Sequence, residues 1–260
     1  MNYRRIFTIS AVIVTAVGFL ITVKLSERFS DRENLPEDNF VKVVATYYMT
    51  SNICDDLGLS DTGDICQNER IPLSSSTASG VVFKSIGDTS YILTADHFCN
   101  PNFGMPASIS GRLDFDVEIS AVDSKGRTWS APHVYSSEED DLCLLSSDIE
   151  ILNDIEISSI YPVPGDKVSA ISAPHGIHDR NVALHFTGTF SGCNYDDICF
   201  YTIPAAPGSS GSLILNTEGK IVGMIQMTSS GFDALSLGVG LTSIRRFLLS
   251  AEEQLQVDLI

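Results

Sequence analysis

The sequence predicts an all-β body closed by one C-terminal α-helix, either a sandwich or a pair of barrels. Three observations carry this. From Phe40 onward about a dozen short runs rich in β-branched and aromatic residues recur with turn residues between them. A spacer from Ser146 to Asp166, carrying Pro162, Pro164 and Gly165, divides those runs about equally, as a link between two barrels does. Apolar residues at helical spacing close the body only at its end, and no repeat of roughly 20 to 50 residues suggests a solenoid or propeller.

The first element stands apart from that body. Ile6 to Val23 is a run of 18 residues without a charge, preceded by Arg4 and Arg5 and followed by Lys24, Glu27 and Arg28. As a helix it spans about 27 Å, close to one hydrocarbon core. The run passes into Thr22-Val23-Lys24-Leu25-Ser26 without an Ala-x-Ala site, which favours an uncleaved signal anchor over a cleaved signal peptide. Lys24, Arg28 and Arg32 nearly balance the basic residues before the run, so orientation rests on the cysteines, which place the body on the exported side. Both readings export the body. Glu27 to Asp38 is polar, charged and proline-bearing, a linker.

The strands follow in order. Runs are expected at Val41–Met49, Ala78–Phe83, Ser90–Thr94, Leu113–Val122, Trp129–Tyr135 and Leu142–Leu145 before the spacer. After it come Lys167–Ser172, Val182–Phe190, Cys199–Ile203, Ser212–Leu215, Lys220–Met227 and Leu235–Leu241. Ile244, Phe247, Leu248, Ala251 and Leu255 then repeat at helical spacing behind Thr242 and Ser243, either of which can cap.

Composition excludes several function classes. The 260 residues are 43% hydrophobic, enough for a real core, and 33 acidic against 16 basic residues leave a net charge of -17. Without residues 1 to 32 the body carries -20. Such a field repels nucleic acid and disfavours anionic lipid surfaces. Six cysteines fit an oxidising compartment.

Three short motifs carry the chemistry. Tyr91-Ile92-Leu93-Thr94-Ala95-Asp96-His97-Phe98-Cys99 sets a histidine just beyond an apolar strand. Glu138-Glu139-Asp140-Asp141-Leu142-Cys143-Leu144-Leu145 runs an acidic pair into another. Pro207-Gly208-Ser209-Ser210-Gly211-Ser212 lies between two strands, its glycines allowing a tight loop that aims backbone N–H groups inward. Singly these read as an edge histidine, a solvated acidic turn and a Gly-Ser hairpin. Their order across a dozen strands is what points to nucleophilic catalysis.

This combination resembles the trypsin-like serine peptidases of the chymotrypsin fold, and within them the HtrA/Deg-type protease domain, over roughly residues 75 to 250. Ser79-Gly80-Val81-Val82-Phe83 resembles the strand before the histidine motif. Ile171-Ser172-Ala173-Pro174-His175-Gly176 resembles a Gly-x-Pro-x-Gly-type turn, and Leu237-Gly238-Val239-Gly240-Leu241 the last barrel strand. Ile203 to Ser212, followed by Gly219 to Met224, is similar to the stretch that ends Pro-Gly-Asn-Ser-Gly-Gly in that group. The resemblance implies two six-stranded antiparallel β-barrels, at about 40–146 and 166–241, with a helix at 243–256. The chain then divides into tip and signal anchor 1–26, linker 27–39 and protease domain 40–260.

Carried over residue by residue, Ser210 is the nucleophile, His97 the general base and then acid, and Asp141 the group that orients the imidazole. Asp140 remains a minor alternative. Gly208 and Ser210 supply oxyanion N–H groups. A serine hydroxyl is a poor nucleophile at neutral pH, and an adjacent imidazole can take its proton; no cofactor or metal is needed. The partner is a polypeptide substrate, with no nucleic acid, and the membrane is met only through the N-terminal helix; oligomeric state is open. Ser212 replaces the second glycine of the usual pair, and Asp96 stands where a small residue precedes the histidine. Ser209 stands where zymogens carry an aspartate, so no activation cleavage is expected. No PDZ domain is expected after the helix.

The resemblance places Pro204 at the base of the primary specificity pocket, Gln226, Met227 and Thr228 on one wall and Gly238 on another. With no acidic residue and no local histidine, a small or medium apolar P1 residue is expected. Cys54 and Cys66 flank one loop and Cys193 and Cys199 another, so two local disulfides are economical, leaving Cys99–Cys143 to staple the histidine and aspartate strands. Fifteen connectivities are possible for six cysteines. His175 and His178 read as an ordinary polar loop, His133 and His185 as strand residues, and Trp129 as core.

Two competitors remain. An α/β-hydrolase needs a Gly-x-Ser-x-Gly elbow, intervening helices and the order Ser, Asp, His, and Ser212 breaks the elbow. A catalytically inactive double-barrel homologue acting as a binding module is the stronger alternative, against which the intact triad argues.

Overall fold

The computed structural model describes residues 36–50, 70–100, 115–229, 231 and 234–260. The expected anchor Ile6–Val23, most of the linker and the Cys54–Cys66 pair lie outside the described residues. Among the described residues no helix is long and apolar enough to cross a membrane.

The first half holds β1 (Phe40–Thr50), β2 (Arg70–Ile86), β3 (Thr89–Thr94), the short helix α1 (Asp96–Cys99), β4 (Phe115–Val122), β5 (Thr128–Ser130), β6 (His133–Ser137) and β7 (Leu142–Ser147). The strands form one sheet in the order β5-β4-β1-β2-β3-β7-β6. This half-barrel corrects the expected closed barrel of six strands. Its cause is Pro132: the run expected as one strand, Trp129–Tyr135, breaks into β5, paired with β4, and β6, paired with β7. Proline has no N–H for a ladder and its ring fixes φ. The two sheet edges therefore lie two residues apart in the chain. Across the break Ala131 N–H donates to the Ile119 carbonyl and Ser146 N–H to the Pro132 carbonyl, both at 3.0 Å.

The second half holds β8 (Lys167–Ser172), β9 (Leu184–Cys193), β10 (Ile198–Tyr201), β11 (Leu213–Leu215), β12 (Ile221–Thr228) and β13 (Ser236–Gly240). These six strands close into a barrel in the order β10-β13-β12-β11-β8-β9. Partners such as Ile225↔Gly238 and then Met227↔Leu237 show that Gln226 is an extra residue in β12, a β-bulge.

Each half has its own core. Val41, Val43, Val82, Ile92, Phe98 and Leu145 are buried together in the first, and Val168, Phe190, Tyr201, Ile203, Ile214 and Ile225 in the second. Alternation explains the first set, since Val41, Val43 and Ala45 face one side of β1. The connecting segment hydrogen-bonds to both halves: Ile155 N–H donates to Phe83 O at 2.8 Å and Ser158 N–H to Ile221 O at 2.9 Å.

Helix α2 (Leu241–Leu255) buries Ile244, Phe247, Leu248 and Ala251. The Phe247 ring lies 5.2 Å from that of Tyr135 on β6, so the helix that follows the second barrel rests on the first sheet. Thr242 and Ser243 lie inside its first turn, and the N-cap is Gly240. The cap comes instead from Asp197, whose Oδ2 accepts the Ser243 N–H at 2.9 Å.

Candidate active site

His97 sits in α1, directly after the buried strand β3, where a one-turn helix lifts its ring from the core to partial exposure. Asp141 ends the turn that opens β7, with a left-handed backbone of φ 50°. Its carboxylate takes the His97 ring Nδ1 at 2.8 and 3.0 Å and also accepts the His97 backbone N–H at 2.8 Å. A carboxylate can only accept, so Nδ1 carries the proton in this contact, and Nε2 is then the basic nitrogen of a neutral ring. Cys99 and Cys143 are joined, tying α1 to β7 two residues beyond each member of this pair. Cys193 and Cys199 are joined across the β9–β10 hairpin.

Ser210 comes from the loop between β10 and β11. Its hydroxyl donates to the Gln226 carbonyl at 2.9 Å. The loop is fixed from both halves: Ser79 N–H donates to Ser210 O at 2.8 Å, Gly211 N–H to Ile225 O at 2.8 Å, and the Ser79 hydroxyl to Gly208 O at 2.9 Å. Gly208 and Gly211 have positive φ, and a Cβ on either would lie 2.6 Å from Ala173 O or 2.0 Å from Ser79 O. Only glycine fits there.

The peptide dipoles of this loop are oriented by neighbours. Pro207 O accepts the His175 N–H at 2.6 Å and Ser209 O accepts the Ser212 N–H at 3.1 Å. In a trans peptide the next N–H points opposite to the carbonyl, so the Gly208 N–H is turned away from the Pro174–Gly176 turn. The loop's own turn bonds use the N–H groups of Ser209 and Ser212 rather than those of Gly208 and Ser210.

Asp140 has a different environment. It is 7% exposed, its carboxylate pairs with Arg246 of α2 and accepts the Ser137 hydroxyl at 3.1 Å, and it anchors the turn. Asp96 is fully buried, and among the described residues neither of its carboxylate oxygens has a hydrogen-bond partner. Burial holds its carboxyl above the usual aspartate range; Asp141 and Glu138 push the same way, and Ser136 and His133 against it.

A cleft of about 850 Å³ opens beside His97, with Asp141, Tyr195, Gln226, Met227 and Arg246 among its lining. Of the five residues expected to shape a specificity pocket, Gln226 and Met227 line this cleft. Pro204 and Thr228 lie on the surface, and Gly238 is sealed against β12, where a Cβ would be 1.7 Å from Met224 O. The Gln226 side chain is spent elsewhere: its Nε2 donates to Asp140 O at 2.6 Å and Asp141 O at 2.9 Å. Sequence reasoning missed this, as it missed Arg246, Ser79 and the capping role of Asp197. Among the described residues, Cys193, Asp197 and Cys199 have metal-ligand spacing, but the two sulfurs are bonded to each other.

The family model of the trypsin-like peptidase domain matches residues 78–224. Proteins described as serine protease HtrA-like from Staphylococcus aureus strains USA300 and NCTC 8325 are 22% identical over 197 residues, covering 69% of this chain and 24% of theirs. The chain thus spans about a quarter of the length of these curated relatives. The crystal structure of the serine endoprotease from Yersinia pestis superposes with a TM-score of 0.57 at 19% identity, covering 86% of this chain and 66% of that one. That likeness is one of fold.

Proposed function

Because the chain belongs to the trypsin-like peptidase domain family, we propose that it is a serine endopeptidase that cleaves polypeptides through Ser210, His97 and Asp141. The observation that carries this is the His97–Asp141 contact, 2.8 Å from Nδ1 to Oδ2, in the wall of the cleft. The Ser210 hydroxyl, which donates to the Gln226 carbonyl in this structure, turns to His97 Nε2, gives up its proton there and attacks the scissile carbonyl through Oγ. Asp141 stabilises the imidazolium, and the Gly208 and Ser210 N–H groups hold the oxyanion. Collapse expels the amine, protonated by His97. Water then attacks the acyl-enzyme, giving its proton to the same nitrogen and releasing Ser210.

The finer parts of the reading rest on the sequence. The small or medium apolar P1 residue rests on the sequence resemblance alone, since of the residues it named only Gln226 and Met227 line the cleft, whose wall also carries Glu139, Asp196 and Asp197. The Ile6–Val23 run supports a single-pass membrane protein with the peptidase domain on the exported side. The two disulfides are consistent with that compartment.

A fluorophosphonate probe tests the proposal, since it reacts only with an activated serine. The folded protein is expected to label, and Ser210→Ala to lose both labelling and peptide hydrolysis while melting at the same temperature. A folded protein that stays unlabelled would instead be the double-barrel binding module.

A further inference from the structure

We propose that Gln226 is a positioning residue for this reaction: its side-chain amide holds the turn that presents Asp141 to His97, while its main-chain carbonyl receives the Ser210 hydroxyl. The inference rests on the serine-peptidase reading and adds to it how Asp141 is held toward His97.

The bulge in β12 makes this possible. In a regular strand successive side chains alternate between faces. The extra residue at 226 breaks the alternation and lets its side chain reach out of the second barrel to the turn of the first sheet, the re-aiming that bulges perform. Gln226 is 7% exposed, and its amide nitrogen serves two carbonyls, those of Asp140 and Asp141. Both N–H groups of the amide are thereby used.

The other ties to this turn act elsewhere. Arg246 and the Ser137 hydroxyl hold the Asp140 side chain, and the Asp140 N–H donates to Ser137 Oγ at 3.2 Å. The Asp141 N–H makes a long turn bond of 3.3 Å to Glu138 O. Gln226 grips the carbonyl end of Asp141, whose φ of 50° is a conformation aspartate tolerates but does not prefer. Without the amide, two carbonyls lose a donor and the Asp141 peptide is released from its strained setting. Its carboxylate then loses the orientation that receives His97 Nδ1 and the His97 N–H together.

The experiment separates hydrogen bonding from packing. Gln226→Met keeps length and volume but no donor, and Gln226→Glu keeps volume but at neutral pH sets a carboxylate against two carbonyls. Each is compared with wild type, with Asp141→Asn and with the double variant that adds Asp141→Asn. Peptide kcat and KM and the fluorophosphonate labelling rate are normalised to the fraction folded by near-ultraviolet circular dichroism. Both single variants are expected to lose about 10- to 100-fold in kcat with KM within about threefold, and in the Asp141→Asn background to cost less than about threefold more. A Gln226→Met protein as fast as wild type overturns the assignment, as does a penalty that persists in full without the Asp141 carboxylate. If the wild-type protein itself neither labels nor cleaves, the peptidase reading fails first. If it does both and only the Gln226 penalties are missing, that reading stands and this one falls.

Discussion

Asp140 and Asp141 are adjacent acids with opposite surroundings, and the difference decides what each can do. The Asp141 carboxylate meets a ring nitrogen and a backbone N–H of His97, whereas that of Asp140 is turned to Arg246 and Ser137. Asp141→Asn should cut kcat by about 10⁴-fold, because an amide that donates to Nδ1 selects the wrong tautomer in Ser-His-Asp triads. Asp140→Asn should cost less than about tenfold, and steady-state peptide kinetics distinguish the two. Asp96 makes a prediction of another kind. Its folded pKa lies above the ordinary value, so the folded state binds the proton more tightly and native stability falls as pH rises from about 4 through the raised value. Asp96→Asn should therefore stabilise by about 1–3 kcal/mol at pH 7, with the gain vanishing near pH 3 in denaturant titrations. At this scale the order histidine, aspartate, glycine-flanked serine was legible because each motif is contiguous. The work of Gln226 was not, because it depends on one inserted residue and on a turn 85 positions away.

Elements were legible where alternation or helical spacing is strong, and hidden where one residue interrupts a pattern. β8 falls on Lys167–Ser172, as its β-branched run suggests. The run around Pro132 reads as a single strand by composition, yet the missing N–H splits it between two partners and leaves the first sheet open. The cap of α2 was illegible for a related reason: Asp197 lies 46 residues before the Ser243 N–H it accepts, and local spacing favours Thr242 or Ser243. The Cys99–Cys143 bridge joins elements in the same indirect way. It links α1 to β7 across a separation of 44 residues, and both cysteines are buried. Replacing both by alanine should lower stability by about 4 kcal/mol on the chain-entropy account, measured by urea unfolding. Because α1 carries His97 and β7 follows Asp141, kcat measured on the folded variant should fall as well. An unchanged kcat would mean that the β3–β7 ladder, with Thr94 opposite Cys143, holds the pair in register by itself.

Across the whole molecule, hydropathy and charge are segregated along the chain: an 18-residue apolar run near one end and a body of net -20 beyond residue 32. If the run anchors the protein, the full chain should sediment with membranes, resist carbonate extraction and expose its body to protease from the exported side. A mature N-terminus just after residue 23 would replace the anchor by a signal peptide, and cytosolic protein with six free thiols would overturn export. The body itself sets where a soluble form can begin. Asn39 is 5% exposed and donates to Val82 O at 2.8 Å and Asn153 O at 3.0 Å, joining β2 to the segment that connects the two halves. Glu37 pairs with His185 on β9 at 2.9 Å. A chain beginning at Glu37 should therefore be soluble and label at the rate of the full protein. One beginning at Phe40 leaves the Val82 and Asn153 carbonyls without this donor and should lose about 1–3 kcal/mol by thermal or urea unfolding. Its labelling rate well below the melting temperature should be unchanged, since Asn39 touches neither the serine loop nor the Asp141 turn. Equal stability of the two chains would show that Asn39 is dispensable, and the junction would then rest on the backbone bonds of Ile155 and Ser158.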